Sequence, residues 1–600
     1  MSPAARGRAS VSRLPSTQGG PVLPLLRTVP GAGTLRRVRF RWLDVVVAVA
    51  IVVLFYLVIQ ATAGATAPLR LAEVPSSIDT DPALLPYYAL RSLLRMFAAL
   101  AASLVFTFVV ATAAARLPRA EKVILPALDI LQSVPILGFL SVTVTGFIAL
   151  FPGSTLGLES AAIFAIFTSQ VWNMTFSFYA SLTSQPRDLD EAARLMRLTK
   201  WQRFWKLDVP SGMIPLVWNG MMSFGGAWFF LAASEAITVN NHSYALPGVG
   251  AYVASAVQAG QLDRVGWAIL TMTIMVLGVN FLFWRPLVAW AERFRQEDTA
   301  PTDRPRSVVL DVISRSWLPR TVERGFGPIA RGLDRATRPF GLAEHPLRVP
   351  EVRKRTLDVG MTVLVVAAIL VGAVAAYVFI QRSVGLGAFL EAFGLGAITM
   401  ARVVVILLFA TVVWVPIGVW IGMNPRISRL AQPVVQLLAS FPANFLFPFA
   451  IAFFVASGIP LNIGGILLMA LGSQWYILFN VIAGASAIPT DLRQAMDSFG
   501  VGRVQRWRRL ILPAIFPAYV TGGITAAGGA WNASIVAEVV TYNHHTYTAT
   551  GLGAYIADAT TTGDMAKVLV GVIVMSVFVV GLNRLFWRRL YAVAERRFSL

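Results

Sequence analysis

The chain has 600 residues, of which 56% are hydrophobic and 14% charged, with 37 Phe, 16 Trp and no Cys. Charged residues make up about a quarter of an ordinary soluble chain, so this composition excludes a water-soluble globular fold, and the missing Cys excludes disulfides, thiol catalysis and Cys-based zinc or iron–sulfur sites. A net charge of +21 would point to nucleic acid on a soluble protein, but the Arg residues cluster at the ends of apolar blocks, which assigns the charge to topology and anionic lipid headgroups and leaves no nucleic-acid partner.

Residues 1–42 form a basic tail (Arg6, Arg8, Arg13, Arg27, Arg36, Arg37, Arg39) without the short apolar run and cleavage site of a secretory signal. Apolar blocks, each near the length that crosses a bilayer, follow at 43–63, 94–115, 132–152, 158–182, 213–239 and 265–290. Others lie at 357–381, 396–422, 434–457, 463–485, 515–540 and 567–588. The expected fold class is therefore an all-α polytopic membrane protein. Its domains are a cytoplasmic tail (1–42), a six-span half (43–292), an Arg- and Pro-rich cytoplasmic linker (293–355) and a second six-span half (356–600). Basic residues at 116–122, 183–208 and 291–355, against the acidic outer segment 64–88, place both termini in the cytoplasm of a cell-membrane protein.

The two halves are copies. At a shift of 303, Trp172 meets Trp475, Pro186 meets Pro489 and Pro210 meets Pro513. Glu235, Thr238, Asn240, His242 and Tyr244 meet Glu538, Thr541, Asn543, His545 and Tyr547. Composition alone does not align Glu, Asn, His and Trp in register, so this is tandem duplication. An even number of spans per copy makes the repeats parallel, related by a pseudo-two-fold axis along the membrane normal.

Between the fourth and fifth spans lies Pro186-Arg187-Asp188-Leu189-Asp190-Glu191-Ala192-Ala193, running on through Trp201 and Phe204 to Pro210. Asp188 and Glu191 have the spacing of a capping box, repeated by Asp491 and Gln494, so a short amphipathic helix is expected at each site. The pattern resembles the loop of ABC importer permeases with the type I, methionine-permease-like fold, in which Glu-Ala-Ala precedes a Gly. The first copy has Glu191-Ala192-Ala193 but Arg197 in place of the Gly; the second has Gln494-Ala495-Met496 and keeps Gly500. The resemblance implies that Asp188, Glu191, Ala192, Ala193, Asp491, Gln494, Ala495 and Gly500 couple the chain to two ATP-binding subunits on its cytoplasmic face. No Gly-x-x-x-x-Gly-Lys-Ser/Thr run occurs, so the chain lacks a phosphate cradle of that kind. It is expected to be no enzyme and to bind no cofactor itself, with ATP and Mg held by the partners.

Ionisable residues within spans are functional candidates, because a charge in hydrocarbon costs at least a few kcal/mol, about 3 on insertion scales. Glu235 and Glu538 stand near the outer ends of the fifth spans, each followed by Gly248-Val249-Gly250-Ala251-Tyr252 or Gly551-Leu552-Gly553-Ala554-Tyr555. This arrangement, with Ser133-Val134-Pro135 and Ser440-Phe441-Pro442 as helix breaks, resembles the nitrate/sulfonate/bicarbonate (taurine-type) branch of the family. A negative pair is a poor host for an anion, so Glu235 and Glu538 are assigned to gating or packing. Thr238, Thr541, Asn240, Asn543, His242 and His545 suit an anion better, or bond only within their loops. Trp228 and Trp531, after Gly-Gly-Ala, either fill the contact between halves or line the pathway. No metal centre is expected from four His.

The function expected is the fused permease of an importer moving a small solute, an inorganic or organic anion, with an extracytoplasmic solute-binding protein implied by the resemblance. An ATP-independent secondary transporter or channel is the alternative, an intramembrane enzyme ranks last, and a quaternary amine in an aromatic cage is the rival solute.

Overall fold

The computed structural model describes residues 42–62, 75–132, 134–239, 242–294, 307–337, 351–543 and 545–598; nearly all of the basic tail, Ser133, Asn240 and His544 lie outside the described residues. One order of elements runs twice. A first helix (Trp42–Thr62; Glu351–Ser383) leads to a long second helix (Leu85–Arg116; Gly387–Met423) and a third span in pieces. After the fourth helix (Leu156–Thr183; Leu461–Ser473 with Trp475–Ser486) come short helices and the fifth helix (Val209–Glu235; Leu512–Ala537). A β-hairpin, a short helix (Val249–Gln258; Leu552–Thr562) and the sixth span (from Leu262 or Met565) close each half. Among the described residues seven helices are long and apolar enough to cross a membrane alone, and the pair bent by 40° at Gln474 makes eight.

The third spans are interrupted at the expected Ser-x-Pro breaks. Pro118–Leu131 stops before Pro135, and the chain resumes as a 3-10 turn (Ile136–Phe139) and a helix (Leu140–Leu150); Pro425–Ser440, Ala443–Phe445 and Phe447–Ser457 repeat the break. Proline removes an N–H and pushes the residue before it out of the α region. The N–H freed at Ile136 donates across the molecule to Asn532 Oδ1 at 3.0 Å. The fifth spans start and end three or four residues earlier than expected, at Val209–Glu235 and Leu512–Ala537. Ala236–Val239 pairs antiparallel with His242–Ala245, and Val539–Tyr542 with His545–Thr548, where Val, Ile, Thr and Tyr favour a pleated strand. A predominantly helical fold thus carries two hairpins at one end. Asn543 takes the left-handed conformation (φ 49°) in its turn, which Asn tolerates.

The linker, in so far as it is described, forms helices Val308–Arg315 and Leu318–Ala336. It is tied to the first half where the Trp317 N–H donates to Asp44 Oδ1 at 2.9 Å.

Small residues set the helix approaches. A Cβ on Gly523 would lie 2.2 Å from the Trp587 ring, and one on Gly212 2.5 Å from Phe178, whereas one on Gly528 would meet nothing within 4 Å. Gly523→Val should therefore cost about 1–3 kcal/mol by overpacking. Thermal melting of the purified chain checks this, with Gly528→Ala melting like the wild type.

Candidate functional site

Two features stand out at the end of the bundle opposite the hairpins. Arg187–Leu195 and Thr490–Ser498 are short helices whose N-caps are Pro186 and Pro489, with no side-chain cap bond. The expected capping box of Asp188 with Glu191, and of Asp491 with Gln494, does not form. Each Pro already holds the extended entry geometry (ψ 139° and 138°), so the helices start before the acids. Asp188 and Asp491 sit in the first turn, favourable against the helix dipole. Glu191 and Gln494 are exposed, Ala192 and Ala495 half-buried and Ala193 buried. A capping box does occur at Thr199 and Gln202, opening Lys200–Arg203, with N–H to side-chain oxygen distances of 3.1 and 3.2 Å.

Nor is there one helix through Phe204. Arg197 (φ 50°) and Gly500 (φ 61°) are left-handed, and the Leu198 and Val501 N–H groups donate back to Ala193 O and Met496 O at 3.1 Å, as in a Schellman ending. The Gly of the pattern thus supplies a backbone conformation, which Arg197 adopts against a penalty of about 1–2 kcal/mol. At the C-cap of each helix an apolar side chain stands free: Met196 is 70% exposed and Phe499 82%. The helices are clamped from behind. Asp190 pairs with Arg203 and, at 2.7 Å, with Arg194, while Asp497 pairs with Arg506. At the shift of 303, acid and base have traded places, since Asp190 matches Arg493 and Arg194 matches Asp497. Partial burial pushes the Asp190 carboxyl up, but Arg203, Arg194 and Arg116 outweigh it and hold it below the usual carboxylate range.

At the hairpin end each buried glutamate is fully engaged. Glu235 accepts from Arg95 Nη1 (2.7 Å), Ser92 Oγ (2.6 Å) and the Gly250 N–H (2.7 Å). Arg95 turns Nε and Nη2 onto Glu159 at 2.6 and 2.8 Å, and Arg91 pairs with Glu159 as well. In the second half Glu538 accepts from Arg402 Nη1 (2.7 Å), Thr399 Oγ1 (2.9 Å) and the Ala554 N–H (3.1 Å), and Arg402 Nη2 donates to Asn462 Oδ1 at 3.0 Å. Gly248 and Gly551 make room for the acids, because a Cβ on either would lie 2.3 Å from the carboxylate.

Between the halves lies a chamber of about 510 Å³. Its wall includes Ile237, Thr238, Ser243 and Tyr244 of the first hairpin and Val539, Val540 and Thr541 of the second. Leu137, Leu140, Asn444 and Phe447 of the broken spans and Gln258, Thr560 and Thr561 of the short helices complete much of it. No Asp, Glu, Lys, Arg or His lines it among the described residues.

A family model described as the binding-protein-dependent transport system inner membrane component matches residues 103–287 and 414–599. The chain belongs to this family. It is a duplicated ABC importer permease, with one family unit in each half, and a multi-pass membrane protein. The chain is similar to the nitrate import permease protein NrtB of Leptolyngbya laminosa, 28% identical over 32% of this chain and 64% of the relative. It is 25% identical to the glycine betaine/proline betaine transport system permease protein ProW of Salmonella typhimurium, over 31% of this chain and 50% of the relative. It is also 25% identical to the taurine transport system permease protein TauC of Escherichia coli, over 30% and 62%. The matched stretch thus spans between half and just under two thirds of these permeases' own length.

The structure separates the permease's expected site residues. Thr238 and Thr541 line the chamber and bond to Ser243 (2.9 Å) and Thr546 (3.1 Å) across their hairpins. His242 and His545 are exposed on the hairpins and are not part of the chamber wall. Asn543 forms its turn, and its Oδ1 would meet a Cβ on Gly260 of the other half at 3.2 Å. Trp228 is buried edge-on to Phe224 (5.5 Å) in a smaller cavity of about 80 Å³ that also contains Ser440. Trp531 is buried and stacked on Phe578 (6.0 Å). Ser440 touches Gly225, where a Cβ would lie 2.6 Å from its Oγ. The charged partners Arg91, Arg95, Arg402 and Glu159, and the chamber's Asn444, are additions. Ser92/Thr399 and Arg95/Arg402 match at a shift of 307, not 303, so one alignment shift hides them; allowing four residues of slack exposes the pair.

Two outcomes follow from this geometry. Arg402→Met leaves Glu538 buried without its cation and should cost about 3–5 kcal/mol of stability, more than Arg402→Met with Glu538→Gln; denaturation of the purified chain checks the order. Arg197→Gly relieves a strained left-handed residue and should stabilise the first short-helix loop by about 1 kcal/mol, read as slower amide exchange at residues 187–203.

Proposed function

We propose that this permease imports a small anion into the cytoplasm, driven by ATP hydrolysed with Mg on two separate ATP-binding subunits, and receives its solute from an extracytoplasmic binding protein. In this reading 43–292 and 356–600 are the two transport halves, and the tail, the linker and both termini lie in the cytoplasm with the short-helix loops. The observation that carries it is the pair of clamped helices presenting Met196 and Phe499 to solvent. An apolar side chain held that far out on a rigid, ion-paired loop fits a groove on another protein, and one such knob per half fits one ATP-binding subunit per half. Around them Asp188, Glu191, Ala192, Ala193, Asp491, Gln494, Ala495 and Gly500 form the docking faces, and closure of the motors moves the fifth spans directly behind them.

The chamber supports an anion. Helices Leu140–Leu150 and Phe447–Ser457 both begin at its wall, so their positive ends face it. Hydroxyl and amide groups supply further donors without a fixed cation, which suits a solute that has to leave again. Glu235 and Glu538, saturated by partners, act as struts and gate supports and not as ligands. Trp228 and Trp531 pack away from the chamber, which disfavours a tryptophan cage for a quaternary amine. The relatives' names span a nitrate, a taurine and a betaine permease.

Met196→Asp with Phe499→Asp tests the coupling. Uptake by cells carrying the full transporter should fall at least a hundredfold, and the ATP-binding subunits should no longer co-purify, with the chain still inserted in the membrane. Undiminished uptake rejects the docking role.

A further inference from the structure

We propose that the solute is held by one half of the duplicated permease only, on a patch made by Asn444 and Thr560 of the second half, and that these two side chains set its specificity by donating hydrogen bonds to acceptor oxygens. This rests on the importer reading and goes beyond it, because duplication alone gives two equivalent walls.

The two walls are not equivalent. Leu137 and Asn444 occupy matching places after the broken third helices, at the shift of 307, and Val257 and Thr560 match at 303. All four line the chamber. At both places the first half is apolar and the second half polar. Thr238 and Thr541, by contrast, are the same residue on both sides and are engaged across their hairpins. Thr561 also lines the chamber, but its hydroxyl donates to Ala557 O at 2.9 Å and has no hydrogen left for a solute.

Asn444 is not engaged in this way. Its Oδ1 is buried with no hydrogen-bond partner. A buried amide oxygen left unpaired costs about 1–3 kcal/mol, and native structures rarely keep one without a purpose. The residue sits in the 3-10 turn Ala443–Phe445, whose N-cap is Pro442, so its backbone is fixed by the break. Asn444 lines the chamber while its Oδ1 is buried in the wall, so the NH₂, with two donors, is the end of the amide that is left to face the chamber. With the Thr560 hydroxyl this gives up to three neutral donors on one wall, against Leu137 and Val257 at the matching places; the first half's amide is instead the exposed Gln258, which matches the engaged Thr561. A group with several acceptor oxygens, such as a nitrate or a sulfonate, matches that arrangement. A solute without acceptors leaves the amide unpaired and is rejected for that reason.

The test uses the full transporter in cells, with labelled nitrate, taurine and glycine betaine as probes and the purified chain for melting. The wild type is expected to take up nitrate or taurine. Asn444→Leu, which repeats the first half's Leu137, should raise the half-saturation concentration at least tenfold while the melting temperature stays level or rises, since an orphaned polar group has been removed. Asn444→Asp, nearly isosteric but anionic, should abolish uptake, and Thr560→Val should raise half-saturation severalfold. Wild-type half-saturation in both Asn444 variants overturns the patch while leaving the importer reading intact. A fall in melting temperature that parallels the loss of uptake in Asn444→Leu also overturns it, by making the role structural. If the wild type takes up none of the probes, or only glycine betaine, the anion reading fails with it.

Discussion

The structure depends on how two carboxylates are kept in the interior of a membrane protein. A buried charge is tolerated only when it is paired and its remaining lone pairs are filled. Glu235 and Glu538 meet that condition with three donors on two other elements: the second helix, through Arg95 and Ser92 or Arg402 and Thr399, and the start of the short helix, through the Gly250 or Ala554 N–H. The hydroxyls in turn accept from the Val249 and Leu552 N–H groups at 3.0 and 2.9 Å. The same contact fixes where the fifth helix ends and the hairpin begins, and so it fixes the chamber wall. Glycine at 248 and 551 is required because the carboxylate occupies the space of a side chain.

Duplication gives the molecule its frame, and divergence gives it direction. The frame is repeated down to four short π-helical turns, at Phe204–Asp208, Asn280–Trp284, Trp507–Ile511 and Asn583–Trp587. Such turns bulge a helix without breaking it. Polar detail is less faithful. The first half pairs Arg95 with Glu159 where the second pairs Arg402 with the neutral Asn462. Arg91 matches Ile398 at the shift that aligns Arg95 with Arg402, so the first half holds one more cation and one more anion here than the second, and the local charge balance is the same.

The same logic governs the short-helix loops. Asp190 holds Arg203, and Asp497 holds Arg506, although the acids stand at non-equivalent positions. What is maintained is an ion pair between the first short helix and the second, and either end of the first helix can supply the carboxylate. Arg197 makes the complementary point. The backbone of that turn persists without its glycine, held by the Schellman bonds on either side.

The sequence by itself determined the membrane class, the duplication, the two short-helix loops and the family resemblance. Each of these is written in period, register or composition along the chain, where hydrophobic run length and residue spacing act locally. It also placed the breaks at Pro135 and Pro442, since proline acts on its own neighbours. Tertiary structure decided what local pattern cannot hold. Asp188 and Glu191 have the spacing of a capping box, yet Pro186 takes the cap. The Thr-x-Asn-x-His-x-Tyr segments reach a hairpin because strands need a partner. Glu235 became a strut and not a ligand only through Arg95, which lies 140 positions away. Asn444 likewise gains its meaning from an absence of partners in a chamber built by both halves, and no spacing along one chain encodes which groups remain unpaired when distant helices close around them.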